Sequence, residues 1–255
     1  MSSDEQQVVR SLNEVRERVA MHAKSRAASS DGVAAAVPMP PTLIAVSKTK
    51  PPELIAAAHG AGHLDFGENY VQEVVAKAPT LPSDIRWHFI GHLQTNKVKD
   101  LLGVPNLHCV HTVDTLKLAQ ELQKRSLQMR PDQPLAVFVQ VNTSGEESKS
   151  GCTPAECVAL CTAVRDSCSA LCFMGLMCIG KYSSAEGGAD EDFACLARCR
   201  EEVASVLGVE PASLALSMGM SHDYEAALVA GATHVRVGST IFGARAPPAA
   251  KSQGL

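Results

Sequence analysis

The chain has 255 residues, 45% of them hydrophobic and 20% charged, with a formal net charge of −4. That length supports one large or two small domains, and the charge offers no general attraction to nucleic acid or anionic lipid. Any anion bound here needs a local site. No apolar run reaches the roughly 18 residues of a membrane span, and the start lacks the apolar stretch of a secretory leader. Its acids Asp4, Glu5, Glu14 and Glu17 are foreign to a mitochondrial presequence, so a cytoplasmic protein is expected.

Residues 4–26 read as an amphipathic helix, with Val8, Leu12, Val15 and Val19 at near-helical spacing. AASSDGVAAAVPMPP, 27–41, is Ala/Ser/Pro-rich and aperiodic, a connection rather than an element. A repeated pattern then begins. Strand-like segments at 42–48, 63–69, 86–92, 106–114, 134–142, 170–180, 213–221 and 233–243 are each followed by a helical stretch, the last by only about a dozen residues. The strands look apolar on both faces, as in a parallel sheet covered by helices. Eight such units predict a closed (β/α)8 TIM barrel over 42–245, with an extra N-terminal helix, no second domain, and a short tail at 246–255. An open doubly wound sheet would carry a G-x-G-x-x-G turn after its first strand, and SKTKP is nothing like that.

The nine cysteines are odd in number, in a chain with no sign of secretion, which argues against a disulfide framework. Cys157/Cys161, Cys168/Cys172 and Cys195/Cys199 have helical i, i+4 spacing, but C-x-x-C is absent and no histidine stands at zinc-finger spacing. Free buried thiols acting as small hydrophobes are expected, and no metal.

In such barrels function gathers at the C-terminal ends of the strands. Here those ends supply Lys48, Asn69, His92, Asp114, Asn142, Cys178, the Ser217–Ser221 segment and Arg236 through Thr240. The loops after strands seven and eight, SMGMSHD and VGSTIFG, combine hydroxyls with glycines at the two places where barrels often hold a phosphate. Strand alternation turns Arg236 inward between Val235 and Val237. Its partner is either an internal carboxylate such as Asp65 or Glu68, or a ligand ring atom.

Closure of the barrel sets Lys48, at the end of strand one, beside strand eight. A nearby cation and partial burial both disfavour an ammonium there. Lys50, in the turn before Pro51-Pro52, is expected to be solvated. A nucleophilic amine, a phosphate cradle and an arginine for a ring nitrogen together describe a pyridoxal phosphate site.

AVSKTKP, FGENYVQE, WHFIGHLQTNK, VQVNTSGEESKSG, GLMCIG, LSMGMSHDYEAA and THVRVGSTIFGAR, in this order over roughly 42–245, resemble the pyridoxal phosphate homeostasis protein family, single-barrel relatives of the alanine racemase N-terminal domain. The resemblance implies a Schiff base on Lys48 and phosphate contacts from Ser221, Gly238, Ser239 and Thr240. It puts Arg236 at the pyridine nitrogen, Asn69 beside the ring and Met218 shaping the pocket. It assigns His92 no task. Two departures stand out: Cys178, where the family commonly has threonine, and the loop KYSSAEGGADED at 181–192.

Two functions fit. One is a non-catalytic, monomeric carrier that sequesters pyridoxal phosphate and delivers it to apo-enzymes. The other is an amino-acid racemase, which needs an acid/base on each face of the substrate; Tyr70, Tyr182 and Tyr224 all fall at helix starts or in loops, and none is marked for that role. A sugar-phosphate aldolase fits the lysine and the phosphate loops but not Arg236. The carrier is the expectation.

Overall fold

The computed structural model describes residues 1–28, 40–181 and 188–244. Most of the Ala/Pro-rich connection (29–39), the loop stretch 182–187 with Tyr182, and the tail 246–255 lie outside the described residues.

A helix, α1 (Ser3–Ala28), precedes the barrel. Eight parallel strands follow: β1 (Thr42–Val46), β2 (Asp65–Glu68), β3 (Arg86–Phe89), β4 (Leu107–Val113), β5 (Leu135–Gln140), β6 (Leu171–Met177), β7 (Ala215–Ser217) and β8 (His234–Val237). They close in chain order, β8 returning to pair with β1 so that Ile44 lies opposite Arg236. The helices between and after them are α2 (Pro52–Gly60), α3 (Val71–Lys77), α4 (Val98–Leu102), α5 (Leu116–Met129), α6 (Pro154–Ser167), α7 (Gly188–Leu207), α8 (Tyr224–Val229) and α9 (Ser239–Phe242). This is the TIM barrel that the sequence pattern predicts.

Local chemistry starts the helices where the pattern places them. Thr153 accepts from the Glu156 N–H while the Glu156 carboxylate accepts from the Thr153 N–H, a reciprocal cap on α6 with Pro154 in its first turn; such caps stabilise by about 1 kcal/mol. Thr115 caps α5 by accepting from the Leu118 N–H. In α1, Val8, Leu12, Val15 and Val19 are buried, and the helix packs on α2, α8 and α9. It thereby covers the barrel wall beside the four-residue α9, where a full eighth helix would otherwise lie.

Three expectations need correction. The eighth strand ends at Val237, and residues 239–242 turn into α9; Gly238 breaks the ladder, and Ser239 and Thr240 suit a helix start better than a strand interior. The barrel interior is also not apolar. Asp65, His88, His111, Ser217 and Arg236 are all buried there and hydrogen-bonded to one another, which is the condition for burying polar groups. Lastly, Arg236 pairs with neither Asp65 nor Glu68. Its guanidinium donates to Ser217 Oγ (2.9 Å) and to the Cys178 carbonyl (2.8 Å); Asp65 takes Arg86 and Glu68 takes Lys77 instead.

The nine cysteines are free, and seven are buried. Cys157 and Cys161 approach to 3.9 Å between α6 turns, as expected of packed thiols. No helix among the described residues is long and apolar enough to cross a membrane.

Candidate functional site

A cavity of about 380 Å³ opens at the C-terminal mouth of the barrel. Lys48, Asn69, Ser221, Arg236, Gly238 and Ser239 line it together, with an apolar floor and wall that includes Val46, Ile90, Met177, Ile179 and Met220. Sequence reasoning missed this apolar set. Met177 and Ile179 stand at two-residue spacing at the end of β6, the inward-facing period, which was the available signal.

The lysine is carried on a tight turn. After β1 the chain passes Ser47 and Lys48 and enters Thr49 at φ 63°, left-handed and costly for a β-branched residue. The turn is held from behind. Lys77 Nζ donates to the Ser47 carbonyl (3.0 Å), to Glu68 Oε1 (2.9 Å) and to Glu73 Oε2 (2.6 Å). Ser47 Oγ donates to Glu68 Oε1 (2.7 Å), and the Thr49 N–H donates to Glu73 Oε2 (2.7 Å). Burial pushes the Glu68 carboxyl upward, and the neighbouring Lys77 only partly reverses this.

Asn69 follows β2 directly. A Cβ on Gly91 would fall 1.9 Å from the Asn69 carbonyl oxygen, so a glycine is what lets the end of β3 pass the residue that faces the cavity. The Asn69 Oδ1 is buried without a hydrogen-bond partner.

Ser221 and Gly238 meet across the loops after β7 and β8: the Gly238 N–H donates to Ser221 Oγ at 3.0 Å. Gly219 makes that approach possible. It sits at φ 89°, and a Cβ there would lie 2.5 Å from that of Ala227. Ser239 and Thr240 begin α9, and the first N–H groups of a helix have no intrahelical acceptor.

Two predicted residues fall outside the lining. Met218 is fully buried in the layer between strands and helices. Thr240 is exposed at the rim, its Oγ1 donating to the Ser221 carbonyl at 3.4 Å. Lys50, expected to be solvated, is half-buried on the cavity wall with Nζ donating to the Ala244 carbonyl (2.9 Å); the short α9 brings that carbonyl within its reach. His222 also lines the cavity. His92 does not. It is 57% exposed and bound to Ser150 Oγ (3.1 Å), with Asp114 at 3.6 Å.

The charge pattern fits an anion. Lys48, Lys50 and Arg236 line the cavity and no carboxylate does among the described residues, in a chain of net charge −4. Elsewhere His88, Cys109 and His111 bring three metal-ligating atoms within 4.8 Å of one another. The two imidazole nitrogens are spent on each other at 3.0 Å, and burial pushes the Cys109 thiol far up. All three side chains are buried in the barrel interior.

The molecule is thus a single barrel with an amine, an arginine and paired glycine-serine loops around one mouth. Residues 31–246 match the family described as alanine racemase, N-terminal domain. The mouse pyridoxal phosphate homeostasis protein is 46% identical over 211 residues, covering 80% of this chain and 77% of that one. Its namesake in Pseudomonas aeruginosa is 46% identical over 205 residues, covering 80% and 84%. Among solved structures, PipY of Synechococcus elongatus with PLP bound superposes with a TM-score of 0.67 at 31% identity, over 88% of this chain and all of the other. The chain belongs to the pyridoxal phosphate homeostasis protein family.

Proposed function

We propose that this protein is a cytoplasmic carrier of pyridoxal 5'-phosphate, which it binds in the mouth cavity, keeps from unwanted reaction, and releases to apo-enzymes that need it. The residues fit the group. The buried, unpartnered Oδ1 of Asn69 is an acceptor for a ring hydroxyl, and the Ser221–Gly238–Ser239 cradle offers hydroxyls and backbone N–H groups to a phosphate. When bound, the cofactor supplies an aldehyde. Lys48 would be the residue that holds that aldehyde, as a Schiff base with water as the leaving group. Arg236, which keeps its protons, would be the donor for the ring nitrogen and would favour that nitrogen unprotonated.

The observation that carries this reading is the convergence of Lys48, Arg236 and the Ser221–Gly238 contact on one cavity without a carboxylate. Carriage rather than catalysis is favoured because no tyrosine stands ready as a second acid/base among the described residues. Tyr70 caps α3 and is 44% exposed, and the Tyr224 hydroxyl donates to Glu225.

The test is spectroscopic. Purified protein with pyridoxal phosphate is expected to show a visible band that borohydride removes, leaving the cofactor mass on the peptide containing Lys48. A colourless protein would overturn the reading. Chiral chromatography of amino acids incubated with the loaded protein decides between carrier and racemase: turnover would replace the carrier with the enzyme.

A further inference from the structure

A line of hydrogen bonds crosses the barrel interior below the cavity. Arg86 Nε and Nη2 donate to the two oxygens of Asp65 at 2.7 and 2.5 Å. Asp65 Oδ1 lies 3.0 Å from His88 Nε2, His88 Nδ1 lies 3.0 Å from His111 Nε2, and His111 Nδ1 lies 2.9 Å from Ser217 Oγ. Ser217 Oγ accepts from Arg236 Nη1 at 2.9 Å. The line thus joins the N-terminal ends of β2 and β3 to the arginine that borders the cavity.

The donor directions follow from its two ends. The Asp65 carboxyl is held well below the usual range: burial alone would raise it, and the hydrogen bonds from Arg86 and His88 more than reverse that. An ionised carboxylate only accepts, so His88 Nε2 carries the proton. Arg86 already supplies Asp65 with its counter-charge. With one proton on the His88 ring, its Nδ1 accepts from His111 Nε2–H at 3.0 Å. Burial holds His111 neutral, far below its ordinary value, which leaves its Nδ1 to accept the one proton of Ser217. The Ser217 oxygen is then turned to Arg236.

Around the line, His111 stacks on Phe138 with ring centroids 4.5 Å apart, His108 packs edge-on to His88 at 5.1 Å and His234 to His111 at 6.0 Å. Cys109 beside the line and Cys178 beside Arg236 are both kept protonated by burial, and Asp223 faces Arg236 as a favourable charge.

We propose that Asp65, His88, His111 and Ser217 form one directed relay that positions Arg236, so that residues remote from the cavity govern how the ring nitrogen of bound pyridoxal phosphate is met. This rests on the pyridoxal phosphate reading above for its ligand, but not for the relay itself. With two guanidinium contacts pinned, at Ser217 and at the Cys178 carbonyl, the N–H groups left over have one orientation to offer the cavity. The four are positioning residues. None of them lines the cavity.

The first arm of the test uses the protein alone. Nitrogen NMR of the imidazoles is expected to find His88 and His111 singly protonated, both at Nε2, and Asp65→Asn is expected to move the Arg236 side-chain resonances across the barrel. A doubly protonated ring, an Nδ1–H form, or unmoved Arg236 resonances would overturn the relay. The second arm adds pyridoxal phosphate to wild type, Asp65→Asn, Ser217→Ala and Arg236→Gln. Ser217→Ala and Asp65→Asn should each weaken binding about tenfold, the scale of a hydrogen bond to a charged group. They should also make the visible band depend on pH where the wild-type band does not, because a loosened Arg236 lets the ring nitrogen take a proton.

A merely structural role would lower stability and leave that pH profile unchanged. If Arg236→Gln alters the band and the other two do not, the relay fails and the pocket reading stands. If Arg236→Gln matches wild type, the pocket reading fails, while the first arm still decides the relay.

Discussion

The two halves of the barrel mouth are built from the same kinds of residue and end differently. On the β7–β8–β1–β2 side, Ser221, Arg236, Gly238, Lys48 and Asn69 surround a cavity, and an acceptor is left unpartnered. On the β3–β4–β5 side, where Gln140 Oε1 and Thr143 Oγ1 are also buried without a partner but border no such cavity, His92 and Asn142 close on their neighbours. His92 takes Ser150 and Asp114, while Asn142 Nδ2 donates to the carbonyls of Glu146 and Lys149. A polar strand end is therefore not evidence of a site by itself. It becomes one when its partners are missing and an empty volume lies in front of it.

Substitutions on the two sides should sharpen this contrast. Lys48→Ala is expected to abolish the borohydride-fixed adduct, checked by mass spectrometry, whereas His92→Ala should leave cofactor uptake within about twofold; equal losses would erase the distinction between the halves. Arg236→Gln removes a donor that cannot lose its proton, and should weaken binding by about tenfold to a hundredfold by equilibrium titration. A smaller effect is expected from Gly238→Ala, whose Cβ would stand 3.3 Å from Val46 Cβ and from the Val46 carbonyl. It should reduce affinity for pyridoxal phosphate about tenfold and leave that for pyridoxal almost unchanged, since under the carrier reading only the phosphate would meet this turn.

The polar interior makes a different kind of prediction. His63 is held down at about 4 and His234 at about 3, burial being the leading cause for both. Unfolding exposes imidazoles with an ordinary value near ~6.5, so the unfolded chain binds more protons below that pH. The stability these groups contribute is complete above about pH 6.5 and is lost as pH falls toward 4 and 3, with a slope near 1.4 kcal/mol per pH unit for each. Denaturant titrations across this range should show the slope, and His234→Gln should reduce it. On the exposed rim, His92→Ala should change stability by no more than about 0.5 kcal/mol.

Much of this was legible in the sequence because period and position carry it. Eight apolar runs spaced by helical stretches dictate a ring, and alternation in VRVG turns Arg236 inward. What could not be read was partner choice. Asp65 looked like a partner for Arg236 and His88 like an ordinary strand residue, since nothing in DFGE or RWHF says which neighbours a closed barrel will bring within 3 Å. Lys50 and Met218 show the same limit: their neighbours come from the turn after α9 and from the helix layer, which local pattern does not rank.

The pairing of β1 with β8 sets a condition on assembly. The amine comes from the first strand to be synthesised, and the arginine and the anion cradle come from the last. A growing or truncated chain can carry Lys48 without any means of retaining a phosphate beside it. Under the carrier reading, occupancy certifies that the ring is complete, and by mass action the ligand pulls the folding equilibrium toward the closed form. The cofactor would be lost whenever the seam between the first and last strands parts, well before the rest of the barrel comes undone.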